Sequence, residues 1–229
     1  MTVHSAIRTS FPPPGVVLAH AVRGAFQNAK EPLHTAGTVV QVPEGREIFA
    51  EGDDTDVFYK VISGVVRSCK FLSDGRRQIA AFHTAGEVFG FELDDDRQLG
   101  AEAVSDCTLI CYRRRNVEIA ARKDETVARQ LLQYAMQTMG QARDHSLLLA
   151  RRGAAEKVAA FLLGWQARSD QEDVIHLAMT RQEIADHLAL TIESVSRSLS
   201  QLERDGIIAL PNTRELHLLD AEALEQMAA

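Results

Sequence analysis

The sequence predicts an α+β chain: an antiparallel sandwich or barrel, then one long helix, then a helical unit closed by a hairpin. Three observations carry this. Between residues 37 and 112, short apolar runs alternate with turn signals spaced about ten residues apart, the texture of an antiparallel β domain. From 125 to 151 no proline interrupts a helical pattern, and Gly140 is its one weak position. From 180 to 208, TRQEIADHLALTIESVSRSLSQLERDGII, two capped helices are joined by a tight turn.

Composition sets the outer bounds. The chain has 229 residues, enough for two modest domains with cores of their own. A hydrophobic content of 45% and a charged content of 25% are those of a soluble globular protein. The net charge of −7 does not advertise a nucleic-acid partner. DNA contact would need local clusters such as Arg113-Arg114-Arg115 and Arg151-Arg152 beside the second helix of the pair. No apolar run approaches a membrane span and no signal peptide is expected, so the expected setting is cytoplasmic, without a membrane partner. Three cysteines, Cys69, Cys107 and Cys111, cannot all pair, which suits a reducing compartment.

Residues 1–36 are expected to form an N-terminal arm and a short helix. Phe11-Pro12-Pro13-Pro14-Gly15 cannot be helical and reads as extended, with a short helix over 16–28. The β domain is placed at 37–123, with strands over 39–42, 47–49, 57–62, 65–71, 78–82, 88–91 and 108–112. Pro43-Glu44-Gly45, Ser63-Gly64 and Ser73-Asp74-Gly75 are among the intervening turns.

The long helix is placed at 124–152, with Asp124 as its N-cap. Ala128, Leu132, Ala135, Met139, Ala142, Ser146 and Leu149 recur in steps of four and three, the period of a coiled-coil seam. A neighbouring stripe through Leu131 and Leu148 suits packing onto the helix's own domain. Two stripes on one helix point one inward and one to a partner. Arg151-Arg152-Gly153 reads as a hinge, and residues 153–229 as the final domain. There a helix over 154–167 carries Val158, Phe161, Leu162 and Trp165 into a second core, and an acidic loop spans 169–173.

The helix pair follows. Thr180 caps the first helix, with Glu183 three residues on completing a capping box. Thr191 caps the second, whose buried stripe is Val195, Leu199 and Leu202. Ile192, Glu193, Ser196 and Arg197 fall on the other side within two turns, where a recognition helix carries its base-reading side chains. Arg can fork onto guanine, Glu can accept from cytosine, and Ser can serve a base edge or a phosphate. Asp205-Gly206 stops the helix, and 207–219 reads as a hairpin turning at Pro211-Asn212-Thr213. The alternative is an ordinary packed pair with a solvated face, and the excess of acids after Gly153 favours it.

The stretch MTRQEIADHLALTIESVSRSLSQLERDGII resembles the winged helix-turn-helix of the CRP/FNR superfamily of bacterial transcription regulators, most closely the FNR and FixK branches. FYKVISGVVRSCKFLSDGRRQIAAFHTAGEVFGF resembles the β-roll, a jelly-roll of the cyclic-nucleotide-binding type, in the same superfamily. The resemblance implies an N-terminal antiparallel β-roll, a long dimerisation helix and a C-terminal winged helix-turn-helix. It implies a homodimer joined through the seven seam positions, double-stranded DNA as a partner, and no enzymatic activity. DNA would be contacted by Thr180, Thr191, Ile192, Glu193, Ser196 and Arg197. Phe71, Ser73, Asp74, Gly75, Arg76 and Arg77 match an activating loop that touches RNA polymerase. FixK-type members govern low-oxygen, denitrification or nitrogen-fixation genes. CRP carries Arg, Glu and Arg on its recognition helix and reads TGTGA. Here Ile192 stands at the first of those positions, as an apolar residue does in FNR, so TTGA half-sites are expected.

No cofactor or metal is expected. FNR proteins hold an iron–sulfur cluster with four cysteines, whereas here no cysteine precedes Cys69 and only Cys111 falls on a cluster position. Cys107 and Cys111, four apart on a strand, read as two small core residues, with metal binding or redox sensing as the other reading. Cyclic nucleotide binding is not expected. The CRP phosphate pocket uses an Arg-Ser pair, and GEVFGFELDDDRQLGAE has Arg97 followed by Gln98, with Asp94, Asp95 and Asp96 opposing an anion. No His-x-His cluster, Gly-x-Ser-x-Gly, HExxH or phosphate loop is present. The second functional reading is a regulator of the same fold that depends on haem or another ligand, with His83 as a candidate haem contact.

Overall fold

Ser63-Gly64 makes a corner that only glycine can fill. Gly64 sits at φ 87°, and a Cβ there would lie 2.3 Å from the Asp106 carbonyl oxygen. It joins β4 (Val57–Ser63) to β5 (Val66–Phe71). The structure, a computed structural model, describes residues 17–18, 33, 37–92, 94–168 and 173–228. Contacts divide the chain into two units, Met1–Lys70 with Phe82–Thr138, and Phe71–Ala81 with Met139–Ala229.

Two antiparallel sheets form the β-roll. One has the order β1 (Val17–Leu18), β2 (Gly37–Val42), β9 (Cys107–Arg113), β4, β7 (Val88–Phe89). The other has the order β3 (Glu47–Phe49), β8 (Gly100–Ala103), β5, β6 (Arg77–His83). β9 is the centre of the first sheet: Leu109 is opposite Val40 of β2 and Val61 of β4, and all three are buried. Their side chains join Ile48, Phe49, Tyr59, Val66 and Phe89 in one apolar core. A second cluster, built on Phe58, Ile110, Tyr112 and Val117, takes in Val127 and Tyr134 of the long helix.

Three elements of this half depart from expectation. Val17–Leu18 is a strand paired with β2, not part of a helix over 16–28; the rest of that arm and helix lies outside the described residues. Gly100–Ala103 is a strand although GAEA has almost no β propensity; it pairs between β3 and β5, and its small Ala101 and Ala103 are fully buried. Arg114–Lys123 is a helix, α1, whose only buried residue is Val117.

The long helix α2 runs over Glu125–Ala150. Asp124 accepts from the Thr126 backbone N–H and hydroxyl at 2.8 and 2.6 Å, bonds that hold its carboxyl below the usual carboxylate range. The inward face is Val127, Gln130 and Tyr134, with Leu131 half-buried beside them. Lys60, buried on β4, donates to the Tyr134 hydroxyl at 3.2 Å, and so does Gln130 at 2.7 Å.

In the second unit α3 (Ala154–Gln166), α4 (Arg181–Leu188), α5 (Ile192–Arg204) and α6 (Ala221–Ala228) surround a core that includes Leu162, Met179, Leu188, Val195 and Leu202. A three-stranded antiparallel sheet of β10 (Val174–His176), β12 (Glu215–Leu218) and β11 (Ile208–Ala209) completes it. The expected hairpin is β11 with β12, turning where Asn212 Oδ1 accepts from the Arg214 N–H at 2.8 Å. β10 and α6 are further elements. Trp165 Nε1 donates to the His176 carbonyl at 2.9 Å and so ties α3 to β10. Of the loop expected over 169–173, only residue 173 lies within the described residues.

Candidate nucleic-acid interface

The pair α4–α5 is held at both starts by side-chain caps. Thr180 Oγ1 accepts from the Glu183 N–H at 3.2 Å, and Glu183 Oε2 accepts from the Thr180 N–H at 2.6 Å. Thr191 Oγ1 accepts from the Ser194 N–H at 3.2 Å, leaving α5 to begin at Ile192. Between them Ala189 adopts φ 51°, the one non-glycine at positive φ among the described residues. That left-handed residue ends α4 in a single step and sets the tight turn.

α5 divides cleanly into two faces. Val195, Leu199 and Leu202 are buried against the unit's core, together with Ser198. Thr191, Ile192, Glu193 and Arg197 are exposed and Ser196 is half-buried, so these five candidates share the outward side of the first two turns. Ile192 is an apolar side chain 38% exposed at the very start of the helix, on this outward side. The Glu193 carboxyl is held below the usual range by its own backbone N–H at the helix start, then by the Thr191 hydroxyl, with Arg197 adding attraction. Thr180 is exposed, but its hydroxyl is committed to the capping box. This surface can place a guanidinium, a carboxylate and a methyl-bearing side chain against base edges.

One arginine of each basic cluster is engaged elsewhere. Arg114 donates to Glu118 at 3.2 Å and to the Glu92 carbonyl at 3.0 Å, in the first unit. Arg151 donates to the Ala228 carbonyl, which fastens the end of α2 to α6.

On α2, the seam candidates Leu132 and Met139 are 62% and 60% exposed. Ala128, Ala142 and Ser146 are exposed, and Ala135 and Leu149 are half-buried. Met136 and Leu147 share this outward exposure at 57% and 64%, and the sequence reading missed both. The signal for Met136 was present: 132, 136, 139 is also a four-then-three series, offset from the one above.

At the β5–β6 turn Phe71, Ser73, Asp74, Gly75 and Arg76 are exposed, and Phe71 is 62% exposed. Asp74 accepts from Arg76 through backbone and side chain at 3.1 and 2.7 Å, which lowers its pKa. Arg77 differs: it is ion-paired with Asp186 at 2.8 Å within the second unit, and both side chains are largely covered.

The remaining candidates are packed residues. All three cysteines are buried, and no disulfide joins any two of them. Burial pushes the thiols up, to about 11 for Cys107 and about 12 for Cys111, the opposite of a reactive thiolate. His83 is buried, stacked on Phe89 and hydrogen-bonded through Nε2 to Ser68 Oγ at 2.8 Å. No group of three or more His, Cys, Asp or Glu suited to a metal ion occurs among the described residues. Arg97 points inward and Gln98 is exposed. No helix among the described residues is long and apolar enough to cross a membrane.

Known proteins give the same picture. Residues 156–227 match the family of Crp-like helix-turn-helix domains, and residues 39–124 the family of cyclic nucleotide-binding domains. The chain is 39% identical over 196 residues to the nitrogen fixation regulation protein FixK of Rhizobium meliloti, covering 86% of this chain and 90% of that one. It is 33% identical to the transcriptional activator protein FnrL of Cereibacter sphaeroides, covering 80% and 77%. The solved structure of FixK2 from Bradyrhizobium japonicum is 40% identical and superposes with a TM-score of 0.80, over 84% of this chain and 98% of that one. The relatives are regulators rather than enzymes, and the outward face of α5 is the feature such a regulator needs. The chain belongs to the FixK-like branch of the CRP/FNR family of DNA-binding transcription regulators.

Proposed function

We propose that the protein acts as a homodimer that binds a palindrome of TTGA-type half-sites and activates low-oxygen, denitrification or nitrogen-fixation genes. The observation that carries the half-site is Ile192, exposed at the first base-reading position where an arginine would select guanine. Its side chain suits a thymine methyl; Arg197 would fork onto the guanine, Glu193 accept from bases opposite, and Ser196 and Thr191 meet a base edge or phosphate. Thr180, its hydroxyl held in the cap, would contribute by fixing the angle of α4 and through backbone contact. Two subunits would present two α5 helices about one helical turn (~34 Å) apart. The apolar outward face of α2 supports pairing through that helix.

We place the functional boundaries at 37–123 for the β-roll, 124–152 for the dimerisation helix and 153–229 for the DNA-binding domain. The exposed tip formed by Phe71, Ser73, Asp74, Gly75 and Arg76 supports contact with RNA polymerase; Arg77, paired with Asp186, would hold the tip from behind. The setting would be the cytoplasm. DNA binding would need neither a cyclic nucleotide nor a metal, because the cysteines are buried and Gln98 replaces the serine of a phosphate pocket.

Protein purified in air, without added ligand, is expected to retard a duplex carrying inverted TTGA half-sites, and to lose it when the guanines are changed. Binding that appears only after anaerobic iron reconstitution, or only with cyclic AMP, would overturn this reading.

A further inference from the structure

Arg97 is the largest completely buried side chain among the described residues, and its guanidinium sits inside the β-roll. Nη1 donates to the Gly90 carbonyl and Nη2 to the Val57 carbonyl. The cation lies 4.1 Å from the centroid of the Phe49 ring. The Glu92 carboxylate stands 3.8 Å from Nη1, outside hydrogen-bond range, and its other oxygen accepts from the Gln98 N–H at 2.8 Å. Nε has no partner among the described residues. The backbone is pinned as well: the Arg97 N–H donates to the Asp53 carbonyl at 2.8 Å, and the Gly52 N–H to the Arg97 carbonyl at 2.9 Å.

Gly90 shows that the site is shaped around this group. It lies at φ 70°, and a Cβ there would fall 2.8 Å from Nη1 of Arg97 and 3.1 Å from the Phe49 ring. A buried cation whose one carboxylate partner, Glu92, stands at ion-pair but not hydrogen-bond distance is only partly compensated, so bare packing would favour an apolar side chain. What the arginine supplies instead is a planar donor fork for two half-buried carbonyls on separate segments, with the Phe49 ring against the guanidinium.

We propose that the β-roll contains a guanidinium-binding site, made by the Gly90 and Val57 carbonyls and the Phe49 ring, which Arg97 occupies in cis as a built-in ligand. The site would tie the segments bearing Phe49, Val57 and Gly90 together, so the roll is closed by its own chain. This deepens the ligand-independent reading of DNA binding and rests on it for its regulatory meaning, but its test reads stability.

In the full-length chain, Arg97→Ala empties the site. The variant is expected to melt below wild type, and methylguanidinium at low millimolar concentration is expected to raise its midpoint by a few degrees. Wild type, already occupied, should not respond. Urea, the neutral analogue of the same shape, and equal sodium chloride should rescue neither. Equal melting of variant and wild type, or a rise that urea matches, would overturn the proposal. If Arg97→Ala does not fold, Arg97→Met keeps a long side chain and a double-mutant cycle replaces rescue. Gly90→Ala should lower the midpoint much more in the wild-type chain than in the Arg97→Met background, and equal losses would refute the shared site. Wild-type operator binding measured alongside reports on the other reading. If that fails while methylguanidinium rescues, the Arg97 site stands without its regulatory role.

Discussion

Replacing both Leu132 and Met139 by glutamate should separate the dimer while leaving each subunit folded. The two side chains are 62% and 60% exposed on the single chain, so neither holds the subunit's own core together. In a two-fold pair each position occurs twice. Burying one Leu or Met contributes roughly 1.5–3 kcal/mol, so one seam position carries about twice that across the interface. A glutamate forced into the seam adds an unpaired charge, on the order of 3–5 kcal/mol for each broken contact. Even the lower figure raises the dimer dissociation constant about a hundredfold. Analytical ultracentrifugation should therefore show monomers at concentrations where wild type is dimeric, with each subunit still folded by circular dichroism, a midpoint lowered only by the lost subunit linkage, and operator binding weakened. Val127→Ala serves as the contrast: Val127 is buried in the inward cluster, so the variant should melt earlier yet still pair. A double glutamate variant that sediments as a tight dimer would refute the seam and move the interface to another surface.

Three other outcomes follow from the described contacts. Thr180→Ala removes the cap of α4 and should cost about 1 kcal/mol in urea unfolding, which Thr180→Ser should largely restore. His187 is held down at about 3, first by burial and then by its neighbour His145, so the unfolded chain binds the extra proton between pH 6.5 and 3. Stability from this group is present above pH 6.5 and lost as pH falls, on the order of 5 kcal/mol in full. Urea midpoints between pH 7 and 4.5 should fall less in His187→Gln than in wild type. The thiols run the other way: pushed up to about 11 and 12, Cys107 and Cys111 favour the folded state below pH 9, and that advantage is lost as pH rises through those values. Native protein at pH 8 should leave both unreacted with a thiol reagent while urea-unfolded protein reacts fully; fast native labelling would contradict their burial.

The α4–α5 pair was the most legible part of the chain because its information is local. Thr180 with Glu183, Thr191 with Ser194 and the Val195–Leu199–Leu202 stripe each lie within one or two turns, and each forms the contact its spacing implies. The strands of the β-roll were legible for a similar reason, since their turns are written in glycine and aspartate. β8 was not: GAEA becomes a strand only because β3 and β5 flank it, a non-local fact. α1 was hidden by its single buried residue, which leaves no stripe to read. The outward face of α2 was only partly legible, because small residues at 128, 135 and 142 fit the seven-residue period and drew attention from Met136 and Leu147. Arg97 was visible as a residue, but its role was not. Which carbonyls meet its guanidinium depends on residues 7 and 40 positions away in the chain.

Selection of bound DNA from a random duplex pool tests the central claim most directly, run with wild type, Arg197→Ala and Ile192→Arg. Wild type should return an inverted repeat of TTGA-type half-sites. Arg197→Ala should lose roughly 1–3 kcal/mol per half-site and relax the choice at the guanine most. Ile192→Arg should bring in a guanine at the second base, giving TGGA- or TGTGA-like sites. One unchanged consensus across all three proteins would contradict the assignment of α5 as the helix that reads the sequence.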